Sequence, residues 1–134
     1  MGFHDLYRMS SHAVITNHSQ QVLLLKATYA NQAWGLPGGG LDVGETIHQA
    51  LIRECQEELG CDVEIAYLSG VYYHRAVNSH AFIFRCSLPE QAKIQLSEEH
   101  SEYRWFDVSQ LTEVQQKRVL DCLNFQGAVQ SASF

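Results

Sequence analysis

The segment GGGLDVGETIHQALIRECQEELGC, residues 38–61, restricts this chain more than any other. It opens on Gly38, Gly39 and Gly40. Glycine loses more backbone freedom on folding than any other residue, so three in a row imply positive φ angles or a backbone that must approach something closely. Helical spacing follows, with Ile47, Ala50, Leu51 and Cys55 recurring at three and four positions to make an apolar face. Thr46 with Gln49 three residues on gives a capping-box start, and Gly60 suits a left-handed cap at the end. Between those limits lie roughly four helical turns. Glu45, Glu54, Glu57 and Glu58 stand in and around this helix, with Arg53 as the one fixed cation among them. Glu54 and Glu58 are four residues apart and repel, by roughly 0.2–0.5 kcal/mol in an isolated helix. From the 3.6-residue period, Glu57 falls about 60° to one side of Glu54 and Glu58 about 40° to the other. The three carboxylates therefore share an arc off the apolar stripe. Such an arc offers the hard oxygen donors that Mg²⁺ takes; a solvated acidic face is the alternative reading.

The rest of the chain reads as alternating strands and helices. Ala13 to Thr16 and Val22 to Lys26 are short apolar runs around a polar turn, 17–21, and predict a hairpin. Val63 to Tyr73, His80 to Leu88 and Tyr103 to Phe106 predict further strands, and Glu113 to Phe125 a second helix. Trp34, just ahead of the glycines, reads as core, and the small polar tail 126–134 as frayed.

The spacing carries more than periodicity. Gly39, Glu45, Arg53, Glu54, Cys55, Glu57, Glu58, Gly60 and Cys61 fill every place of the pattern G-x5-E-x7-R-E-U-x-E-E-x-G-U, where U is bulky and apolar. This resembles the box of the Nudix hydrolases. The U positions hold Cys, smaller than the usual aliphatic residue, a departure that touches packing and not chemistry. Downstream, Trp105 to Leu111 gives a W-F-D-x-S-x-L run ahead of the last helix, again in the family's order.

The resemblance implies an α/β/α sandwich with a central mixed β-sheet, one domain over residues 1–134. It implies a metal-dependent pyrophosphohydrolase that cleaves a nucleoside diphosphate linked to another moiety by water attack on phosphorus. Glu54, Glu57 and Glu58 would supply metal-binding carboxylates to Mg²⁺, or to Mn²⁺, and Gly38 or Gly39 a backbone carbonyl. Arg53 paired with Glu45 would orient the glycine loop against the helix. The general base is either Glu99, six residues before Trp105, or Glu57 or Glu58 within the box. The competing reading is a Nudix-like module that senses a nucleotide without cleaving it. Tyr72, Tyr73, His74, Arg75 and His80 are candidates for contacting the substrate. The family's subgroup markers are missing, so the substrate stays open: no proline stands some 15 residues past the box and there is no SQPWPFPxS-type segment.

Composition sets the outer bounds. With 134 residues, 46% of them apolar and 18% charged, the chain can build one folded domain with its own core. A net charge of −6 disfavours a nucleic-acid-coating surface and makes RNA 5′-pyrophosphate removal a lesser option. The expected partner is a small nucleoside diphosphate substrate, and a homodimer is compatible with the sequence. Cys55, Cys61, Cys86 and Cys122 form no C-x-x-C pair, which predicts reduced thiols and a cytoplasmic location. The first ten residues carry no leader pattern, and no apolar run approaches 18 residues, so no membrane association is expected.

Overall fold

A computed structural model describes residues 2–134. In chain order its elements are β1 (Arg8–Val14), β2 (Val22–Ala27), β3 (Trp34–Gly35), β4 (Gly38–Gly40), α1 (Ile47–Leu59), β5 (Glu64–His74), β6 (Ser79–Ser87), β7 (His100–Phe106), α2 (Glu113–Leu123) and β8 (Gln130–Ser133). One sheet has five strands in the order β4-β1-β6-β5-β8, with β1 parallel to β6 and β5 parallel to β8. The other has three, β3-β2-β7, all antiparallel. Helix α1 packs on β1 and β4, α2 on β5 and β6.

Side-chain alternation along β1 separates the two cores. Ser11 bonds Ile47 O of α1 at 2.8 Å, and Ala13 and Ile15 follow it into the cluster with Leu51, Cys55 and Leu59. Successive strand residues face opposite sides, so Ser10, His12 and Val14 face away. On that side Val14 joins Tyr72, Ala81, Ile83, Val119 and Cys122 beneath α2. The mixed sheet between two helices is the sandwich the resemblance implies.

Helix α1 has the ends its sequence dictates. Thr46 and Gln49 form a reciprocal capping box, and Gly60 closes the helix at φ 72°. The expected hairpin at 17–21 is corrected. Asn17 Oδ1 does build the turn, accepting from the backbone N–H groups of Ser19 and Gln21 at 3.0 Å each. Yet β1 and β2 enter different sheets, joined by one bridge between Thr16 and Val22. The cause lies upstream: RMSSH, too polar to read as a strand, extends β1 to Arg8, where β6 and β4 take both of its edges. The tail 126–134 is also corrected. Gln130–Ser133 adds a strand to β5, and Phe134 N–H donates to Tyr73 O at 2.8 Å while its ring stacks on Tyr72. Trp34 is half-buried and packs against the edge of the core under α2: its ring meets Phe106 edge-on, with the Arg104 guanidinium 5.3 Å from its centre.

Candidate functional site

The glycine strand β4 and helix α1 meet at close range. A Cβ on Gly39 would stand 2.6–2.9 Å from the carboxylate atoms of Glu54, and one on Gly38 would stand 2.0 Å from Ser11 O. Gly38 also holds φ 137°, a conformation reserved for glycine. Its N–H donates to Glu58 Oε1 at 2.8 Å. The glycines thus let the backbone lie directly against two of the acids.

The three carboxylates are graded in exposure. Glu58, expected on the open flank, instead sits in the buried row of α1, 2% exposed beside Ala50, Leu51, Cys55 and Leu59. The wheel put all three acids off the apolar stripe, but the glycine strand covers the flank that carries Glu58. Glu54 is half-buried and Glu57 exposed. Desolvation pushes Glu58 up to about 8, against the Gly38 hydrogen bond that lowers it, with Glu54, Glu99 and Glu57 adding repulsion. Glu54 is raised as well, first by desolvation, with Arg53 opposing.

Arg53 reaches more partners than the sequence suggested. Its Nε donates to Glu45 and its Nη2 donates to Glu45 at 2.9 Å and Gly40 O at 3.1 Å. Nη1 donates to Glu54 at 2.9 Å and approaches Glu57 at 3.4 Å. The Arg53 hydrogen bond holds Glu45 down at about 2. Glu45 also accepts from Asp42 N–H at 2.7 Å, so one ion pair ties the loop to the helix.

Glu99, exposed just before β7, lies near enough to Glu54 and Glu58 to raise both. Its neighbours turn elsewhere: Glu102 pairs with Arg104 at 2.8 Å. Two residues that sequence reasoning missed adjoin the acids. His100 Nε2 is 3.8 Å from Glu58 Oε2, its ring mostly buried and its pKa lowered by desolvation. Tyr29 stands over His100, ring centres 6.4 Å apart, close enough to Glu58, Glu99 and Glu54 for their charge to raise its hydroxyl after burial does. His100 follows Glu99 directly and was within reach of motif reasoning. Tyr29 carries no local signal, and it leads into Ala30, Asn31 and Gln32, three successive residues at φ 50–58°, backbone strain of the kind that gathers at working sites.

Of the proposed substrate contacts, the ring of Tyr72 is buried and its hydroxyl donates to Asp121 at 2.7 Å. Tyr73 donates to Asn78 at 2.6 Å, lies tilted against His80 and meets Tyr7 edge-on near the end of β5. Arg75 caps the end of β5 through a backbone bond to Phe134. Tyr72 thus belongs to the core under α2. His74, on the same face of β5, also points toward α2, where it meets Arg118 at 3.2 Å.

A pocket of about 570 Å³ runs beside the glycine strand, lined by Gly38, Gly39, Gly40 and His100 and by Ser10 and His12 of the paired strand β1. Among the described residues no three acidic, imidazole or thiol side chains converge tightly enough to enclose an ion unaided. The donor set still suits a hard divalent cation: Glu54, Glu57 and Glu58 are oxygen ligands, and the raised pKa values of Glu54 and Glu58 mark carboxylates whose charge a cation would stabilise. The site is open on the side of Glu57, which is exposed. No helix among the described residues is long and apolar enough to cross a membrane.

Comparison with known proteins places this geometry. A family model described as NUDIX domain matches residues 6–122. A MutT-like protein of Streptomyces ambofaciens is 32% identical over 126 residues, covering 91% of this chain and 80% of that protein. An RNA pyrophosphohydrolase of Ruthia magnifica subsp. Calyptogena magnifica is 48% identical over 58 residues, 43% of this chain, which spans only 32% of that relative's length. The crystal structure of an ADP-ribose pyrophosphatase from Streptococcus suis 89-1591 aligns with a TM-score of 0.76 over 96% of this chain and 100% of its own. At 19% identity that likeness is one of fold.

Proposed function

The chain belongs to the NUDIX domain family, and we propose that it is a metal-dependent pyrophosphohydrolase of a nucleoside diphosphate joined to a further moiety. The observation that carries this reading is Glu58. A carboxylate 2% exposed, held by the Gly38 N–H at 2.8 Å and crowded by Glu54 and Glu99, lacks a cation of its own. Nudix hydrolases generally use divalent metal ions, and here Glu54, Glu57 and Glu58 would hold Mg²⁺ or Mn²⁺, with a backbone carbonyl of Gly38 or Gly39. Such an ion neutralises diphosphate charge and lowers the pKa of water.

The chain's own residues do the rest. Glu99 takes a proton from the attacking water; Glu57 and Glu58 are the alternatives within the box. The water oxygen bonds to phosphorus, the bridging P–O bond breaks, and the second phosphate departs with the bridging oxygen. Arg53, gripping Glu45, Gly40 O and Glu54 together, fixes the loop against the helix so that the acids keep their places. The pocket beyond the glycines receives the nucleoside.

The test is turnover of a panel with Mg²⁺, Mn²⁺ or EDTA: ADP-ribose, dinucleoside polyphosphates, oxidised deoxynucleoside triphosphates and a 5′-triphosphorylated oligonucleotide. Glu57→Gln and Glu58→Gln are each expected to abolish metal-dependent product while keeping the fold, and Glu99→Gln to slow it about 10²–10⁴-fold if Glu99 is the base. Unchanged turnover in Glu57→Gln or Glu58→Gln sinks the ligand assignment. Binding without product from any member of the panel favours the sensing module instead.

A further inference from the structure

Glu99 carries an exposed side chain on a restrained backbone. It is the third residue of a turn, Ser97 to His100, closed by the His100 N–H donating to Ser97 O at 3.3 Å. The Glu99 N–H donates to Ser97 Oγ at 3.3 Å, and the Glu99 carbonyl accepts from the Thr28 N–H at 2.9 Å. The Thr28 hydroxyl reaches the same carbonyl and that of Glu98, at 3.1 Å each. A residue 71 positions away in the sequence therefore spans both central carbonyls of the turn. Water satisfies exposed carbonyls at little cost, so stability alone does not call for such a clamp.

The strand that follows shows what the clamp preserves. Leu23 faces the core beneath α1 and is paired with Trp105, which packs there too, and Leu25 is paired with Tyr103 on the same face. On the other face Leu24 is paired with Arg104 and Lys26 with Glu102. Unbroken alternation would next set Ser101 beside Ala27. Instead Ala27 is paired with His100, because β7 carries one extra residue there, a bulge. The bulge turns His100 onto the α1 face, where its side chain is 8% exposed and its Nε2 stands 3.8 Å from Glu58 Oε2. Without the extra residue His100 would share the face of Glu102 and Arg104, away from the acids.

Thr28 follows Ala27 directly, so the clamp begins where the bulge ends. Its own place is firm, since the Ala27 N–H donates to Ala33 O at 3.0 Å and closes the loop 28–32 at its neck. Thr28 is exposed and does not line the pocket, whereas Tyr29 and His100 do. The charge of Glu99 is felt at both Glu54 and Glu58. We propose that Thr28 is a positioning residue of the reaction: by holding the Glu98 and Glu99 carbonyls beside the bulge, it keeps Glu99 turned toward the acids of α1. This deepens the hydrolase reading and rests on it for the role of Glu99. Thr28→Val keeps the branched shape and the N–H and removes only the hydroxyl donor. A carboxylate displaced by about 1 Å loses up to roughly 10²-fold in a step that demands geometry.

Turnover and Mn²⁺ affinity of Thr28→Val, Thr28→Ser, Glu99→Gln and the double variant test this, with free Mn²⁺ read by electron paramagnetic resonance in the absence of substrate. Thr28→Val is expected to lower kcat about 10–100-fold with KM within about threefold, and to keep a cooperative thermal transition. Thr28→Ser, which restores the donor, should recover kcat to within about threefold of wild type. In the Glu99→Gln background Thr28→Val should add less than about twofold, because both changes act through one group. The Mn²⁺ arm needs no chemistry. Glu99→Gln and Thr28→Val should each weaken Mn²⁺ binding about three- to tenfold, and together no more than either alone. A merely structural threonine predicts equal losses with and without Glu99. Such equal losses, a folded Thr28→Val with wild-type kcat, or no recovery in Thr28→Ser overturns the role of Thr28. If Glu99→Gln turns over at the wild-type rate, that role falls while the hydrolase reading stands. If the wild type yields no product from any substrate, the hydrolase reading falls and the Mn²⁺ cycle decides on Thr28. A wild type that neither binds Mn²⁺ nor yields product overturns both.

Discussion

Adding one methyl group at Gly39 and one at Gly38 separates reaction geometry from folding. Gly39 has an ordinary negative or extended φ, so alanine there is conformationally free, and reducing unfolded-chain freedom favours the fold by about 0.4–1 kcal/mol. Its Cβ, however, would meet Glu54 Oε1, Cδ and Oε2 at 2.6–2.9 Å. Those atoms end a flexible side chain, so the carboxylate moves by several tenths of an ångström to about 1 Å, toward an ordinary contact distance, and the fold is spared. Misplacement by about 1 Å costs a reaction roughly 10²-fold. Gly38→Ala meets Ser11 O at 2.0 Å and His12 Cα at 2.7 Å, backbone that no side-chain rotation relieves, at φ 137°. That strain alone costs about 1–3 kcal/mol, and the β1–β4 pairing must open besides. Urea denaturation and steady-state turnover of both variants check this. Gly39→Ala should keep stability within about 1 kcal/mol of wild type and lose about 10²-fold in kcat, whereas Gly38→Ala should lose stability first. Full turnover in Gly39→Ala would refute the reasoning, because Glu54 would then be either elsewhere or idle.

Arg53→Lys keeps the charge but not the fork that spans Glu45, Gly40 O and Glu54; turnover should fall about 10–100-fold, with circular dichroism unchanged. Glu58→Gln keeps an acceptor for the Gly38 N–H while removing a group that must ionise in a buried place above about pH 8. Its thermal midpoint in EDTA at pH 9 should therefore exceed that of the wild type, and a drop there would contradict the burial of Glu58. The buried thiols set an alkaline limit. Burial pushes Cys86 up to about 12 and Cys122 upward too, so above pH 9 the unfolded chain releases protons that the folded chain keeps. Stability should fall from pH 9 toward 12 by about 1.4 kcal/mol per pH unit through Cys86 alone, and Cys86→Ala should lessen the slope by about that much in reducing buffer. Phe134→Ala removes the ring stacked on Tyr72 and should cost about 1–2 kcal/mol in chemical denaturation; no loss would mean that the tail is not part of the sheet.

What the sequence made legible followed from local chemistry. Thr46, Gln49 and Gly60 fix the ends of α1 because caps are decided within a few residues. Arg53 and Glu45 were readable as partners because the box spaces them so. What escaped depends on contacts between distant segments. Asn17 does turn the chain, yet which sheet receives each side of the turn is decided by the free edges of β4 and β6. The polar tail gave no apolar pattern, and its strand forms because β5 leaves an edge unpaired. Glu58 passed for a surface acid because a helical wheel knows nothing of the glycine strand laid over it. Nothing local to Arg118 sets it apart, and only the sheet beneath α2 makes it a buried cation.

The sheet also keeps the acids and the buried guanidinium of Arg118 from cancelling. Acids on α1 and the Arg118 cluster under α2 would attract each other across a low-dielectric interior. They are kept on opposite faces of the five-stranded sheet, Ser11 facing the acids' helix and Ser10 and His12 facing the cation. At β4 the partition is three residues wide and has no side chains, so a ligand in the pocket passes the strand at backbone distance. With side chains there, that approach would be closed, as the Cβ contacts at Gly38 and Gly39 demonstrate.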